Sequence, residues 1–175
     1  PGKRLDLADV VGGGNGFGTG MVGGDTFGAR GTINPITGGV NDSTRPPGEK
    51  DASQRFDFLH YDCSNEFIPV PALAYVDGVF VPDGGQEFQT VSSSGLVFDD
   101  CPDTDGKVKW NVTNGWRYRD MREDKRNTDL LARANGISMH ANSGITFDLH
   151  AIYQAMPGVK ADAFSSRVGV PVTYR

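Results

Sequence analysis

Residues 67–98 read FIPVPALAYVDGVFVPDGGQEFQTVSSSGLVF, and this stretch decides the fold class. It is a series of short apolar runs divided by turn residues. Phe67 to Phe80 is apolar but broken by Pro69 and Pro71. Asp77-Gly78 reads as a turn, Val79 to Val81 resumes the strand, and Pro82-Asp83-Gly84-Gly85 ends it. Phe88 to Val91 and Leu96 to Phe98 read as two more strands around Ser92-Ser93-Ser94-Gly95. Such punctuation favours short strands joined by many turns over long helices.

Downstream the pattern continues. Val108 to Val112 alternates apolar and polar residues, as a half-buried strand does. Asn114-Gly115 is a strong turn dipeptide. Asp120 to Ala134 is a helix candidate with a thin apolar face. Ile145 to Leu149 reads as a strand, Leu149 to Met156 as a short helix stopped by Pro157-Gly158, and Ala163 to Val170 as a further strand.

Upstream, Leu5 to Val11 reads as an opening strand. Gly12 to Gly24 is too rich in glycine for a regular element. A dinucleotide-binding loop would need a helix directly after its glycines and an acidic residue beyond. Here more glycines follow, so that reading is set aside. Residues 29–50 form a long polar connection, and Phe56 to Tyr61 is another strand. The sum is an all-β fold, a β-sandwich or jelly roll with one or two short helices. It is expected as one module over residues 1–175. Residues 1–50 would be a glycine-rich lead-in strand and long loop, and residues 51–175 the sandwich body.

Composition fits this picture. The chain has 175 residues, 37% of them hydrophobic, with 24 Gly and 10 Pro, enough for one domain with a sizeable core. The net charge is −5, the wrong sign for a nucleic-acid footprint. The one basic cluster, Arg117 to Arg126, is interleaved with Asp120, Glu123 and Asp124 and compensates itself. No apolar run is long enough to enter and span a bilayer. No signal peptide is visible at Pro1, which points to a removed leader or an excised segment. Cys63 and Cys101 form no CxxC motif; a structural disulfide between them is expected in an oxidising compartment, with two buried thiols as the alternative.

The segment Gly136-Ile-Ser-Met-His140-Ala-Asn-Ser-Gly-Ile145-Thr-Phe-Asp-Leu149, followed by Phe164-Ser-Ser-Arg-Val-Gly-Val170, resembles the NPCBM module, a bacterial carbohydrate-binding domain found beside some glycoside hydrolases. The match runs through Gly136, His140, Ala141, Ser143, Ile145, Phe147, Asp148, Leu149, Phe164, Val168, Gly169 and Val170. The stretches DVVGGGNG and YVDGVFVPDGG look like lead-in segments of large planctomycete-type surface proteins. The resemblance implies a galactose-binding-like β-sandwich in an accessory module, secreted or displayed on the cell surface. Family members continue past Val-Gly-Val into more strands. The strand Ala163 to Val170 is therefore expected at a protected edge, or paired with another protein chain that completes the sheet.

Candidate site residues follow. Sugar rings stack on exposed aromatics while polar groups bind their hydroxyls. Trp116, Arg117 and Tyr118 follow the Asn-Gly turn, and with Asn142 they form the expected glycan-binding group. Trp110 shares a face with Val108 and Val112 and is assigned to the core. His140 lacks partners at metal-ligand spacing. It is read as structural, its ring bonding a backbone carbonyl to fix a turn. Asp99, Asp103 and Asp105 could ligate a structural calcium, though a solvated acidic turn is the simpler account; no cofactor is required. No nucleophile motif or facing carboxylate pair stands out. The expected function is non-catalytic binding of a glycan or polysaccharide, or surface attachment. The alternative is a structural or protein-interaction module without sugar affinity.

Overall fold

A computed structural model describes residues 3–20, 32–41, 61–62, 66–82, 88–101, 107–108, 112–116, 134–140, 142–166 and 168. Most regular structure within them is strand, in small antiparallel sheets, with two short helices.

The N-terminus departs from the expected opening strand. Leu7–Val11 is a helix, α1. Asp6 caps it, its carboxylate accepting from Ala8 N at 2.9 Å and Asp9 N at 3.4 Å. An Asp side chain satisfies helix-start N–H groups that otherwise lack acceptors, and this outweighs the β-branched Val10 and Val11. Asp9, on the same helix, organises the glycines that follow. It is only 4% exposed, yet its Oδ2 accepts from Gly16 N at 2.7 Å and its Oδ1 from Gly20 N at 2.6 Å. Its backbone carbonyl accepts from Gly14 N at 2.8 Å. The loop thus wraps its own carboxylate. A Cβ on Gly14 would collide with that carboxylate, and one on Gly16, at φ +86°, would strike Leu5.

The long polar connection expected over residues 29–50 contains a hairpin. β1 (Thr32–Ile33) pairs with β2 (Val40–Asn41). Asn34 closes the tip, donating to Gly39 O and accepting from Gly38 N through its backbone, while its side chain accepts from Ile36 N at 2.8 Å. This is the Asx-turn chemistry that makes Asn a turn former. β3 (Tyr61–Asp62) holds the end of the strand expected over Phe56 to Tyr61; residues 56–60 lie outside the described set.

β4 (Phe67–Pro69) and β5 (Val76–Phe80) form a three-stranded sheet with β11 (Gly144–Phe147), in the order β11-β5-β4. The turn between β4 and β5 lies at residues 71–75, not at Asp77-Gly78, which sit inside β5. Pro71 cannot donate to a ladder, and bonds from Leu73 N to Val70 O and Val76 N to Leu73 O bend the chain there. β6 (Gln89–Thr90) and β7 (Val97–Phe98) form the expected hairpin. β8 (Lys107–Val108) pairs with β3.

β9 (Thr113–Trp116) pairs with β10 (Ala134–Ser138), so Asn114-Gly115 is strand and not turn. Asn114 is buried, and its Oδ1 accepts from Gly136 N at 3.2 Å across a register shift in β10. A turn dipeptide is overridden when its side chain fills a bulge. Of the helix expected over Asp120 to Ala134, only Ala134 is described, and it begins β10. β11 is followed by α2 (Leu149–Ala155), capped by Asp148, whose carboxylate accepts from Ala151 N at 2.9 Å. Strand and helix match the expectation for this segment.

The strand expected over Ala163 to Val170 is not formed by its described part. Residues 163–166 and Val168 lie in no strand and are exposed, Phe164 at 76% and Val168 at 94%. A strand needs a partner edge for its N–H and C=O groups. Among the described residues no edge is offered to this segment.

One apolar cluster joins these pieces. Val10 and Val11 of α1, Ile33 of β1 and Val112 meet Val70, Leu73, Val76 and Val79. Ile33 and Val112 also exchange backbone hydrogen bonds of 2.7 and 2.9 Å, which ties β1 to the start of β9.

Burial alone would raise the Asp9 pKa, but the backbone N–H groups of Gly20, Gly16, Gly18 and Thr19 outweigh it and hold the carboxyl below its ordinary 3.8. With the folded value below the unfolded one, the stabilisation is complete above the unfolded value and is lost as pH falls through the folded one. Urea midpoints should therefore drop on acidification below about pH 4. Asp9→Asn should lose that component and about 1.5–3 kcal/mol at neutral pH. An unchanged midpoint in the variant would show that the loop does not depend on this carboxylate.

Candidate functional site

The three-stranded sheet has two unlike faces, as the pleat requires. Ile68, Val79 and Ile145 stand side by side in register and turn to the apolar cluster. The rows on either side, Phe67-Phe80-Gly144 and Pro69-Gly78-Thr146, point the other way. This second face is built from rings and glycines. A Cβ on Gly78 would run into the Phe67 ring, and one on Gly144 into the Phe80 ring. Each ring therefore lies over a glycine of the neighbouring strand, the aromatic cover that strand glycines invite.

The β6–β7 hairpin borders this face. Ser93 N donates to Asp77 Oδ2 at 2.9 Å, and Thr146 Oγ1 donates to Val91 O. The turn is held internally: Val91 N donates to Leu96 O at 2.8 Å, Leu96 N to Ser92 Oγ at 3.0 Å, and Ser92 Oγ lies 2.8 Å from Ser94 Oγ. Gly95 takes the left-handed conformation at φ +79°.

Between β4 and this turn runs an open cleft of about 480 Å³, lined by Glu66, Phe67, Pro69, Thr90, Ser92, Ser93 and Gly95. One wall is an aromatic ring and a proline. The other carries hydroxyls. Glu66 is exposed at the rim. A flat apolar surface beside hydroxyls and one carboxylate is chemistry for binding a polyhydroxylated ligand. Among the described residues of the lining, Glu66 is the one carboxylate, and none is a histidine or a cysteine.

The residues expected to bind glycan are not gathered here. Arg117 and Tyr118 lie outside the described residues, as does the Trp116 side chain, although the Trp116 backbone ends β9 opposite Ala134. Asn142 sits in the β10–β11 connection, where His140 Nδ1 donates to its Oδ1. His140 does fix this turn, but through different atoms from those expected. Its ring bonds a side chain, while its own carbonyl accepts from Ser143 N at 3.1 Å and Ser143 Oγ at 2.8 Å. Of the proposed calcium ligands, Asp99 is exposed and Asp103 and Asp105 lie outside the described residues. Among the described residues no group of three or more His, Cys, Asp or Glu could hold a metal ion. Cys101 is a free, half-buried thiol. Burial first, and the Asp100 carboxylate second, push its pKa above the ordinary range. Its expected partner Cys63 lies outside the described residues, as does Trp110.

The cleft residues Glu66, Phe67, Thr90 and Ser93 carried no sequence signal of function. Ser92-Ser93-Ser94-Gly95 reads as a turn and nothing more, and only register brings it beside β4.

No family model matches the chain, and neither a curated protein nor a solved structure is significantly similar to it. Among the described residues no helix is long and apolar enough to cross a membrane.

The ring-over-glycine packing can be tested directly. Gly78→Ala would crowd both the Ile68 carbonyl and the Phe67 ring, so it should displace Phe67 and cost about 1–3 kcal/mol or more, as overpacking does. Gly95→Ala meets open space and carries only the left-handed strain, about 1–2 kcal/mol. Chemical denaturation of both variants, with Phe67 followed by NMR, checks this. A Gly78→Ala protein with an unshifted Phe67 ring would disprove the packing.

Proposed function

We propose that this chain is a non-catalytic carbohydrate-binding or surface-attachment module of a larger secreted or cell-surface protein. Its small sheets would belong to a galactose-binding-like sandwich of the kind that residues 136–170 resemble. The observation that carries this reading is the cleft beside β4, with the Phe67 ring, the Thr90 and Ser93 side chains and the Glu66 carboxylate around one open space. A module of this kind acts by raising the local concentration of whatever it is joined to.

A second reading is favoured by a different observation. Phe88, Leu96 and Phe98, at the β6–β7 hairpin, are 57%, 62% and 47% exposed. Exposed apolar groups of this kind mark protein-docking surfaces, so the rival is a structural or protein-interaction module without sugar affinity.

A glycan array followed by affinity electrophoresis on polysaccharide gels separates the two. The carbohydrate reading expects retention on at least one glycan. Phe67→Ala, measured well below its melting temperature so that it stays folded, should then weaken retention about tenfold, the order expected for one lost stacking contact. Trp116→Ala, tested alongside, asks whether the aromatic pair Trp116 and Tyr118 is a second stacking platform. Absence of retention on every glycan would discard the carbohydrate reading and leave the docking one.

A further inference from the structure

We infer that the β4 cleft prefers sugars carrying a free, protonated amine, the hexosamine units of a deacetylated polysaccharide, over neutral sugars. The inference rests on the carbohydrate reading and specifies its ligand. Glu66 is the one charged side chain among the described lining residues. It is exposed at the rim, and it makes no hydrogen bond or ion pair with any other described residue. The Asp77 carboxylate behaves differently: it is committed to Ser93 N at 2.9 Å and serves to build the wall. Among the described residues the cleft is thus lined both by a carboxylate with no bonded partner and by an aromatic ring. An ammonium group placed there meets a carboxylate and the negative face of a π-system together, and both attract a cation. A neutral hydroxyl gains neither attraction in full.

The whole chain points the same way. With 17 basic and 22 acidic residues, its net charge is 17 − 22 = −5. That field repels uronate or sulfated polysaccharides and draws cationic ones toward the surface. The Ser93 and Thr90 side chains remain to meet ring hydroxyls, so the ligand is a sugar amine and not a bare cation.

The test uses the full chain and three short oligomers of equal length: β-linked glucosamine, its N-acetylated counterpart, and a neutral β-glucan. Binding is measured by calorimetry at low ionic strength and mildly acidic pH, where the sugar amine is protonated. The amine oligomer should bind about fivefold more tightly than the other two, the order expected for an exposed ion pair with a cation–π contribution. Added salt should erase the difference. Glu66→Gln should abolish the preference, so that the three oligomers bind alike, and Phe67→Ala should weaken all three. Equal binding of the three oligomers, or a preference that survives Glu66→Gln, would overturn the amine selectivity and leave the carbohydrate reading standing. Failure of every oligomer and of the glycan array would overturn both. A lysine-rich peptide that binds through Glu66 when no oligomer does would assign the cleft to protein docking instead.

Discussion

The arrangement depends first on a buried carboxylate. Asp9 sits on a five-residue helix, too short to persist by itself, since helix nucleation is costly and recovered only over several turns. What fixes it is tertiary. The glycine loop folds back and donates its N–H groups to Asp9, and Asp6 N donates to Gly16 O at 2.9 Å, closing the loop onto the helix start. An ionised carboxylate out of water is expensive unless its lone pairs are filled. The glycines fill them because only residues without side chains can approach so closely. With the helix held, Val10 and Val11 are delivered into the cluster with Ile33, Val112 and Val79. Charge satisfaction and apolar burial are thus one construction: the loop is polar inside and its helix is apolar outside.

The second constraint is the division of labour across the three-stranded sheet. Its inner row, Ile68-Val79-Ile145, serves stability. Its outer rows replace two side chains by Gly78 and Gly144, and the Phe67 and Phe80 rings lie over the space. The same glycines that weaken a strand by entropy therefore make room for the rings. The hairpin carrying Ser93 is fastened to this sheet by Asp77 and Thr146, so the hydroxyl side of the cleft is positioned by the strands that position the ring.

Much of the β-rich character was legible in the sequence because Pro, Gly and Ser divide it so often. The hairpin around Ser92 to Gly95 and the strand–helix segment from Ile145 to Ala155 were legible in detail. There the local signals agree: alternation through Ile145 and Phe147, an Asp148 cap, and Pro157-Gly158 at the stop. Three misreadings share one cause, a local signal overruled by a distant partner. Asp77-Gly78 and Asn114-Gly115 carry turn chemistry, yet Gly78 is needed under a ring and Asn114 fills a bulge against Gly136. Leu5 to Val11 alternates loosely like a strand, and the signal against that was Asp6, a capping residue directly before LADVV. The expected strand at Ala163 failed for the opposite reason. Its pattern permits pairing, and no partner edge among the described residues accepts it.

The site was the least legible part, for a reason that follows from how it is built. A motif is visible in sequence when one segment supplies its geometry, as the turn from His140 to Ser143 does. The cleft takes Glu66, Phe67 and Pro69 from one segment and Thr90, Ser92, Ser93 and Gly95 from another, and each segment has an adequate local explanation without it. Register supplies what sequence omits. Phe67 pairs with Phe80 and Pro69 with Gly78, which sets the ring over Gly78, and exposed Glu66 directly precedes Phe67 in the chain. Asp77, one residue from Gly78, then draws in Ser93. The two carboxylates stand on neighbouring strands, Glu66 just before β4 and Asp77 within β5. Hydrogen bonding tells them apart: the Asp77 carboxylate accepts from Ser93 N and shapes the cleft, and the Glu66 carboxylate has no bonded partner among the described residues, which is why the proposed selection rests on it.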